Sequence, residues 1–459
     1  MTDSSGYDIV ILGGGSGGYA CALRAAELGK RVALIEKGRV GGTCLHRGCI
    51  PTKALLHAAE VADLTRESGT FGVQATLQGI DMAGVNAYKD KVVTRLWKGL
   101  QGLITSRHID IIEGEGRLVS PTAVQVGDTV YEGAHVVLAS GSESRSLPGL
   151  SIDGQRVITS DQALNLDHVP TSVVILGGGV IGVEFASVWR SFGADVTIVE
   201  MLPHLLPLEE ESSSKLLERA FRRRGITQKL GARFESVKDT GSGVTVTLEG
   251  GTTIDAELLL VAVGRGPVSA GLGYEEQGVR VERGFVLVDG YCQTSVPTIS
   301  AVGDLTPGLQ LAHVGFAEGI LVAERLAGIT VTPIDYDGVP RITYSDPEVA
   351  SVGITSAIAA ERGIETIEFT YDLAGNGKSQ ILQTQGAAKV IATAGGGPVL
   401  GIHLVGARVG DLIAEGQLIY NWEALPSEVA QLIHPHPTQS EAIGEAFLAL
   451  AGKPLHVHG

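Results

Sequence analysis

The run YDIVIL at 7–12 is apolar and bounded by a glycine cluster; an Ala/Leu-rich stretch follows, and a second apolar run, VALIE, ends on an acid at Glu36. Short apolar runs closed by glycine predict buried strands, and the longer stretch between them predicts a helix packed on those strands. The same order returns at 171–201, where SVVIL, GGGVIG, an apolar-rich stretch and DVTIVE again predict strand, turn, helix and strand. Between the two units, VNAYKDKVVTRLWKGLQGLITSRHI (85–109) predicts an amphipathic helix, and β-rich sequence continues to SRSLPG (144–149). ESSSKLLERAFRRRG (211–225) predicts a further helix, with Arg222, Arg223 and Arg224 expected in a solvated last turn. After PIDYDG (333–338) a C-terminal region opens with strands such as RITYS (341–345). The alternation of strands and helices predicts an α/β protein.

In both units the turn carries glycines at GxGxxG spacing: Gly13, Gly15 and Gly18 in the first, Gly177, Gly179 and Gly182 in the second. Glycine there permits a tight turn, close approach of backbone to a pyrophosphate, and close packing of helix on strand. The helix N-terminus adds N–H donors and a positive dipole end. Each second strand ends on a carboxylate placed to bond a ribose, Glu36 and Glu200, 23 positions after the first glycine in both cases (36 − 13 and 200 − 177). One such motif alone says little, since a Gly-rich strand-to-helix turn needs no ligand. Two with equal spacing imply two dinucleotides on one chain, one held permanently and one exchanging.

At 459 residues the chain is too long for one core and suggests three or four domains, which 44% hydrophobic residues suffice to fill. A net charge of −16 argues against nucleic acid as partner, because phosphate binding needs a basic face. No basic-then-apolar leader precedes the first strand and no apolar run reaches the ~20 residues that span a bilayer, so a cytoplasmic location is expected. There a close cysteine pair more often serves catalysis or metal binding than stapling. Cys44 and Cys49, with four residues between them, form such a pair. Zinc would require further Cys or His ligands at short spacing, so no metal is expected despite His46 and His57 nearby. Cys21 and Cys292, in an apolar helix and a strand-like segment, are expected in the core.

Further motifs follow in order: GGGSGGY (13–19), GGTCLHRGCIPTK (41–53), GGGVIGVE (177–184), VGRGP (263–267), TSVPTISAVGD (294–304), LAH (311–313), DPEVASVG (346–353) and HPHPTQSE (434–441). Over essentially its whole length the chain resembles the flavin disulfide reductases, and the last motif with the acid after the second unit resembles their lipoamide-oxidising branch. The resemblance implies two Rossmann-like dinucleotide-binding domains, the second inserted in the first, plus an α+β C-terminal dimerisation domain. The expected divisions are 1–148 for the first part of the FAD domain, 149–268 for the NAD domain, 269–337 for the part completing the FAD domain, and 338–459 for the interface.

The resemblance further implies FAD held by Gly13, Gly15, Gly18, Glu36, Lys53, Gly116, Gly141, Asp304 and Ala312, with Asp304 on the ribityl hydroxyls. NAD would be held by Gly177, Gly179, Gly182, Glu184, Glu200 and Gly264. Cys49 would be the thiolate against the flavin and Cys44 the thiol that exchanges with substrate; a helix start can lower a thiol pKa from ~8.5 towards neutrality. Lys53, four residues after Cys49 and so on the same helical face, would approach the flavin and pair with Glu184. His436 would be the general base, oriented by Glu441, and would come from the other subunit of a homodimer. The implied reaction reoxidises dihydrolipoyl groups carried by the acyltransferase core of a 2-oxo acid dehydrogenase complex and reduces NAD.

Some residues carry bland readings too. Thr438 followed three positions later by Glu441 reads as a capping box ahead of an apolar-periodic stretch, which needs no catalysis. His46 and Arg47 between the cysteines, Thr52, LASG (138–141) and Val268 depart from the commoner family residues and bear on the disulfide's reactivity. A glutathione-type reductase would want basic residues after Glu200, where Met201-Leu202-Pro203 stand, and a mercuric reductase a C-terminal cysteine pair. A catalytically retired flavoprotein that scaffolds a complex or senses redox state stays open.

Overall fold

A computed structural model describes residues 6–457. The chain packs as two compact units, one built from the chain as far as Leu55 with Ala83–Arg145 and Gly264–Tyr336, the other from Leu56–Met82, Ser146–Val263 and Asp337 onward.

The first unit opens with β1 (Tyr7–Leu12), α1 (Ser16–Glu27) and β2 (Val32–Glu36). Then come α2 (Gly42–Arg47), α3 (Cys49–Glu67), whose later turns belong to the second unit, and α4 (Met82–Ser106). β3 (Asp110–Glu113), β4 (Gly116–Ser120), β5 (Ala123–Val126) and β6 (Thr129–Leu138) complete a sheet in the order β3-β2-β1-β6-β5-β4, with strand Ile299–Ala301 also on β6. β3, β2, β1, β6 and Ile299–Ala301 pair in parallel, whereas β6, β5 and β4 form an antiparallel flap. Parallel strands are covered on both faces, which is why they read as continuous apolar runs: Val10, Ile11, Leu34 and Val137 are fully buried.

Helix α1 lies against helix Ala312–Leu326 at backbone distance, because both carry glycine at the crossing. A Cβ on Gly319 would stand 2.3 Å from the Gly17 carbonyl oxygen.

In the second unit the repeat appears as strand Ser172–Leu176, helix Val180–Phe192 and strand Asp195–Glu200, within a five-stranded parallel sheet flanked by Thr227–Leu230, Leu258–Val261 and Val157–Ile158. Three antiparallel strands, Phe234–Asp239, Val244–Leu248 and Thr253–Ala256, follow. The C-terminal part is a five-stranded antiparallel sheet running from Arg341–Thr343 to Thr366–Asp372, packed with helices Val409–Asn421 and Glu441–Leu450. The α/β class, the two dinucleotide-type units and the α+β C-terminal region agree with the pattern along the chain. No helix among the described residues is long and apolar enough to cross a membrane.

Two local expectations fail. Arg224 is not solvated: its guanidinium donates to the Ser187 and Ser191 hydroxyls at 2.8 and 2.7 Å, to the Asp346 carbonyl at 2.8 Å and to Asp63 at 3.2 Å. The last turn of helix Glu211–Arg223 thus points one of three arginines inward to tie α3 to helix Val180–Phe192. Cys292 is buried as expected but lies in a left-handed turn, φ +59°, outside any strand.

Gly319→Ala should push α1 off its partner helix, destabilising by about 1–3 kcal/mol as overpacking typically does. A thermal melt should show Tm lowered by several degrees; an unchanged Tm would show that the two helices have room to spare.

Candidate functional site

Three observations build the first loop. Gly13 adopts φ +111°, and a Cβ there would lie 2.2 Å from the Ala139 carbonyl oxygen; one on Gly18 would lie 1.8 Å from the Gly13 oxygen. Gly15, by contrast, faces open space, with nothing within 4 Å of a Cβ. The backbone is therefore folded tightly behind the loop and bare in front of it, as pyrophosphate binding at a helix N-terminus requires. Glu36 is locked by two amides: Oε2 accepts the Gly14 N–H and Oε1 the Gly38 N–H, both at 2.7 Å. That leaves lone pairs on each oxygen for a ribose.

The second loop repeats the arrangement. Gly177 has φ +112° with a Cβ position 2.3 Å from the Ala262 oxygen, Gly182 meets the Gly177 oxygen at 2.0 Å, and Gly179 is open. Glu200 accepts the Gly178 N–H at 2.6 Å and the Leu202 N–H at 2.8 Å. Residues at both loops therefore fit a dinucleotide.

The cysteine segment is docked on the first loop. The Gly41 N–H donates to the Gly14 carbonyl at 2.8 Å, and a Cβ on Gly42 would lie 2.6 Å from Gly15 Cα. Gly41 and Gly42 have φ +114° and +58°, a path that bulkier residues resist. Cys44 falls in α2 and Cys49 begins α3; both are half-buried. A hydrogen bond to Cys49, together with burial, pushes the Cys44 thiol far up, against the pull of the Lys53 charge. Cys49 begins helix α3, and a helix start is a place that favours a thiolate.

Of the residues that depart from the commoner pattern, His46, Thr52, Ser140 and Val268 all make hydrogen bonds with main-chain atoms. The His46 ring donates from Nε2 to the Val40 carbonyl at 3.0 Å and meets Trp97 edge-on at 6.2 Å, and Arg39 lies 4.6 Å over that same indole. Thr52 donates to the Gly48 carbonyl at 2.7 Å, fixing the turn between the cysteines. Ser140 donates to the Val268 carbonyl at 2.5 Å and Val268 N–H returns to the Gly141 carbonyl at 2.9 Å, so backbone atoms make the contact at 268 whatever its side chain.

Asp304 lies in the 3₁₀ turn Gly303–Leu305 and accepts the Ser142 hydroxyl at 2.5 Å; Arg265 in turn bonds Ser142 at 2.8 and 2.6 Å. Ala312 opens helix Ala312–Leu326. Gly116 begins β4 packed on Leu12 and Ile35, and the Gly264 carbonyl accepts the Arg145 N–H at 3.0 Å. Glu184 is buried and accepts the Tyr344 N–H at 3.0 Å.

At the C-terminal end, His436 Nδ1 and Glu441 Oε1 are 2.7 Å apart, and Glu441 Oε2 accepts the Thr438 N–H at 2.8 Å. Burial pushes the Glu441 carboxyl up, but the Thr438 amide and the His436 ring outweigh it and leave it below the usual carboxylate range. The capping box forms only by half, since the Thr438 hydroxyl turns back to the Pro435 carbonyl and Ser440 occupies the cap. Glu441 therefore serves the histidine, with its second oxygen steadied by the backbone. The His436 side chain is 77% exposed on a segment that also bares Ile433 at 97%, so a single chain leaves this pair uncovered.

Sequence reasoning missed Glu318, whose Oε2 accepts the Gly303 N–H at 2.5 Å beside Asp304. Its only signal is an acid between two glycines on the apolar face of a helix.

Residues 7–319 match the family described as pyridine nucleotide-disulphide oxidoreductase, and residues 339–447 match the dimerisation domain of that family. A dihydrolipoyl dehydrogenase from Bacillus subtilis is 40% identical, with 98% of this chain and 99% of that protein aligned. A mitochondrial dihydrolipoyl dehydrogenase from Pisum sativum is 38% identical over 98% and 92%. The crystal structure of LpdA from Mycobacterium tuberculosis superposes with a TM-score of 0.90 at 28% identity, over 96% of this chain and 99% of that one.

His434 tests the electrostatics of the C-terminal pair's surroundings. Its hydrogen bond to Glu415 at 2.7 Å, opposed by burial, raises its pKa above the usual histidine value of about 6.5. The charged pair therefore stabilises the fold below that usual value, and the contribution disappears as pH rises through the raised one. His434→Gln should lower Tm more at pH 6 than at pH 9; equal losses at both would contradict the pairing.

Proposed function

We propose that this chain, which belongs to the pyridine nucleotide-disulphide oxidoreductase family, oxidises dihydrolipoyl groups at its Cys44–Cys49 pair and delivers the electrons to NAD. The observation that carries the reading is that pair: two hydrogen-bonded cysteines on a segment held backbone to backbone against a dinucleotide loop. FAD and NAD are the cofactors, and the dimerisation domain makes the protein a homodimer.

We assign FAD to Gly13, Gly15, Gly18, Glu36, Lys53, Gly116, Gly141, Asp304 and Ala312, and NAD to Gly177, Gly179, Gly182, Glu184, Glu200 and Gly264. On this reading 149–268 is the NAD domain inserted between 1–148 and 269–337, and 338–459 forms the interface. When bound, FAD supplies the two-electron relay between the cysteines and the nicotinamide.

His436 takes the proton from a dihydrolipoyl thiol at Nε2, since Nδ1 is committed to Glu441. The thiolate attacks Cys44 of the disulfide, an S–S bond forms there, and the electron pair of the broken Cys44–Cys49 bond stays on Cys49. The second lipoyl thiol then closes on the first sulfur and breaks the mixed disulfide; its proton passes to the departing Cys44 sulfur, leaving a cyclic lipoyl disulfide, a Cys44 thiol and a Cys49 thiolate. Glu441 fixes the ring orientation and stabilises its positive charge, as a base working near neutral pH requires.

The exposure of His436 and Ile433 supports a base that serves the cysteines of the partner subunit. We assign the lipoyl substrate to the acyltransferase core of a 2-oxo acid dehydrogenase complex, in a reducing compartment such as the cytoplasm, where a cycling thiol pair is kept available.

Incubated with dihydrolipoamide and NAD, the purified protein should form NADH. NADP should be used with kcat/KM on the order of 100-fold lower, because the Glu200 carboxylate would face a 2′-phosphate. No turnover with dihydrolipoamide, or equal use of the two nucleotides, would refute the assignment.

A further inference from the structure

We propose that Glu318, held by Tyr336, is a positioning residue for the ribityl portion of the flavin, fixing the turn from which Asp304 reaches it. This rests on the flavin reading of the first loop, and it adds two residues outside every motif that identifies the chain.

Glu318 is 2% exposed on helix Ala312–Leu326. Its Oε2 accepts the Gly303 N–H at 2.5 Å, and its Oε1 accepts the Tyr336 hydroxyl at 2.8 Å. Gly303 follows strand Ile299–Ala301 and turns the chain with φ +73°, and its N–H is outside the sheet ladder. An amide that is partly withdrawn from water needs an acceptor. Glu318 provides it, one residue before Asp304. Ser142 holds Asp304 itself from the other side. The turn is thereby pinned at two consecutive residues.

The anchor is itself immobile. Glu318 lies between Gly315 and Gly319, where Cβ atoms would come within 2.8 Å of the Ser16 hydroxyl oxygen and 2.3 Å of the Gly17 carbonyl oxygen. Those two glycines bring the helix onto α1, which begins at the phosphate loop. One helix thus connects the part of the site that takes the pyrophosphate with the turn that takes the ribityl chain.

Both observed hydrogen bonds to Glu318 come from neutral donors, and burial pushes its carboxyl up. An acid in such a place is unfavourable in itself. An apolar residue would fill the volume more cheaply unless an acceptor were needed at that turn.

The test uses purified holoenzyme, diluted so that released FAD regains its fluorescence and its Kd can be read. Glu318→Gln keeps a carbonyl oxygen for the Gly303 N–H and should hold FAD within about threefold of wild type. Glu318→Ala orphans that amide and should weaken FAD about 10- to 100-fold, and Tyr336→Phe, which removes one bond, about 3- to 10-fold. NAD binding should be unchanged in all three. FAD affinity unaltered in the alanine and phenylalanine variants, even with a lowered Tm, would overturn the proposal, as would a glutamine variant as weak as alanine. Should the alanine variant fail to fold, the Tyr336→Phe value decides by the same criterion. A wild-type protein that binds no FAD would instead sink the flavin reading itself.

Discussion

A hydrogen bond between two main chains, from the Gly41 N–H to the Gly14 carbonyl, joins the cysteine segment to the first phosphate loop, and the chemistry of the first unit depends on it. Its net energy is only ~1 kcal/mol. Its importance is geometric, because a main-chain contact of this closeness tolerates no side chain: Gly42 meets Gly15 at a distance where a Cβ would collide. The segment carrying Cys44 and Cys49 is consequently fixed against the loop by backbone. His46 and Thr52 add side-chain bonds to the Val40 and Gly48 carbonyls, and at position 268 the main chain alone makes the contact.

The two nucleotide loops are one solution used twice. Both fold a glycine back on a neighbouring strand's carbonyl, both leave the middle glycine bare, and both hold the terminal glutamate with two amides. On the proposed assignment, preorganisation of this kind would let the carboxylates of Glu36 and Glu200 receive a ribose without reorientation. What surrounds them differs: Glu36 belongs to a sheet that also carries the antiparallel flap of β6, β5 and β4, whereas Glu200 belongs to a wholly parallel sheet.

Strands and helices of both repeats were legible because strands buried on two faces leave continuous apolar runs and glycines mark their ends. The pairing of His436 with Glu441 was legible from spacing and resemblance. Arg224, Glu318 and the left-handed turn at Cys292 were not, for a common reason. Each is determined by partners far away in the chain: Arg224 by Asp63 and Ser191, Glu318 by Gly303 and Tyr336, Cys292 by the buried core around α1. A local window shows arginines in a last helical turn and an acid in an apolar helix, and long-range packing decides whether they face water. The half-formed capping box is the converse case: Glu441 bonds both the Thr438 N–H and the histidine, and the missing half is the Thr438 hydroxyl, which turns back to the Pro435 carbonyl.

In the proposed mechanism the cysteine pair of one subunit works with the His436–Glu441 pair of the other. Co-expression of a His436→Gln chain with a Cys44→Ser chain, followed by isolation of the mixed dimer, tests it directly. Each homodimer should be nearly inactive, since a positioned base contributes ~10²–10⁴ in rate and the exchange thiol is indispensable. The mixed dimer contains one site with both groups intact and should recover up to about half of wild-type activity per dimer. A mixed dimer that is folded and flavin-loaded yet as inactive as its parents would contradict the shared site.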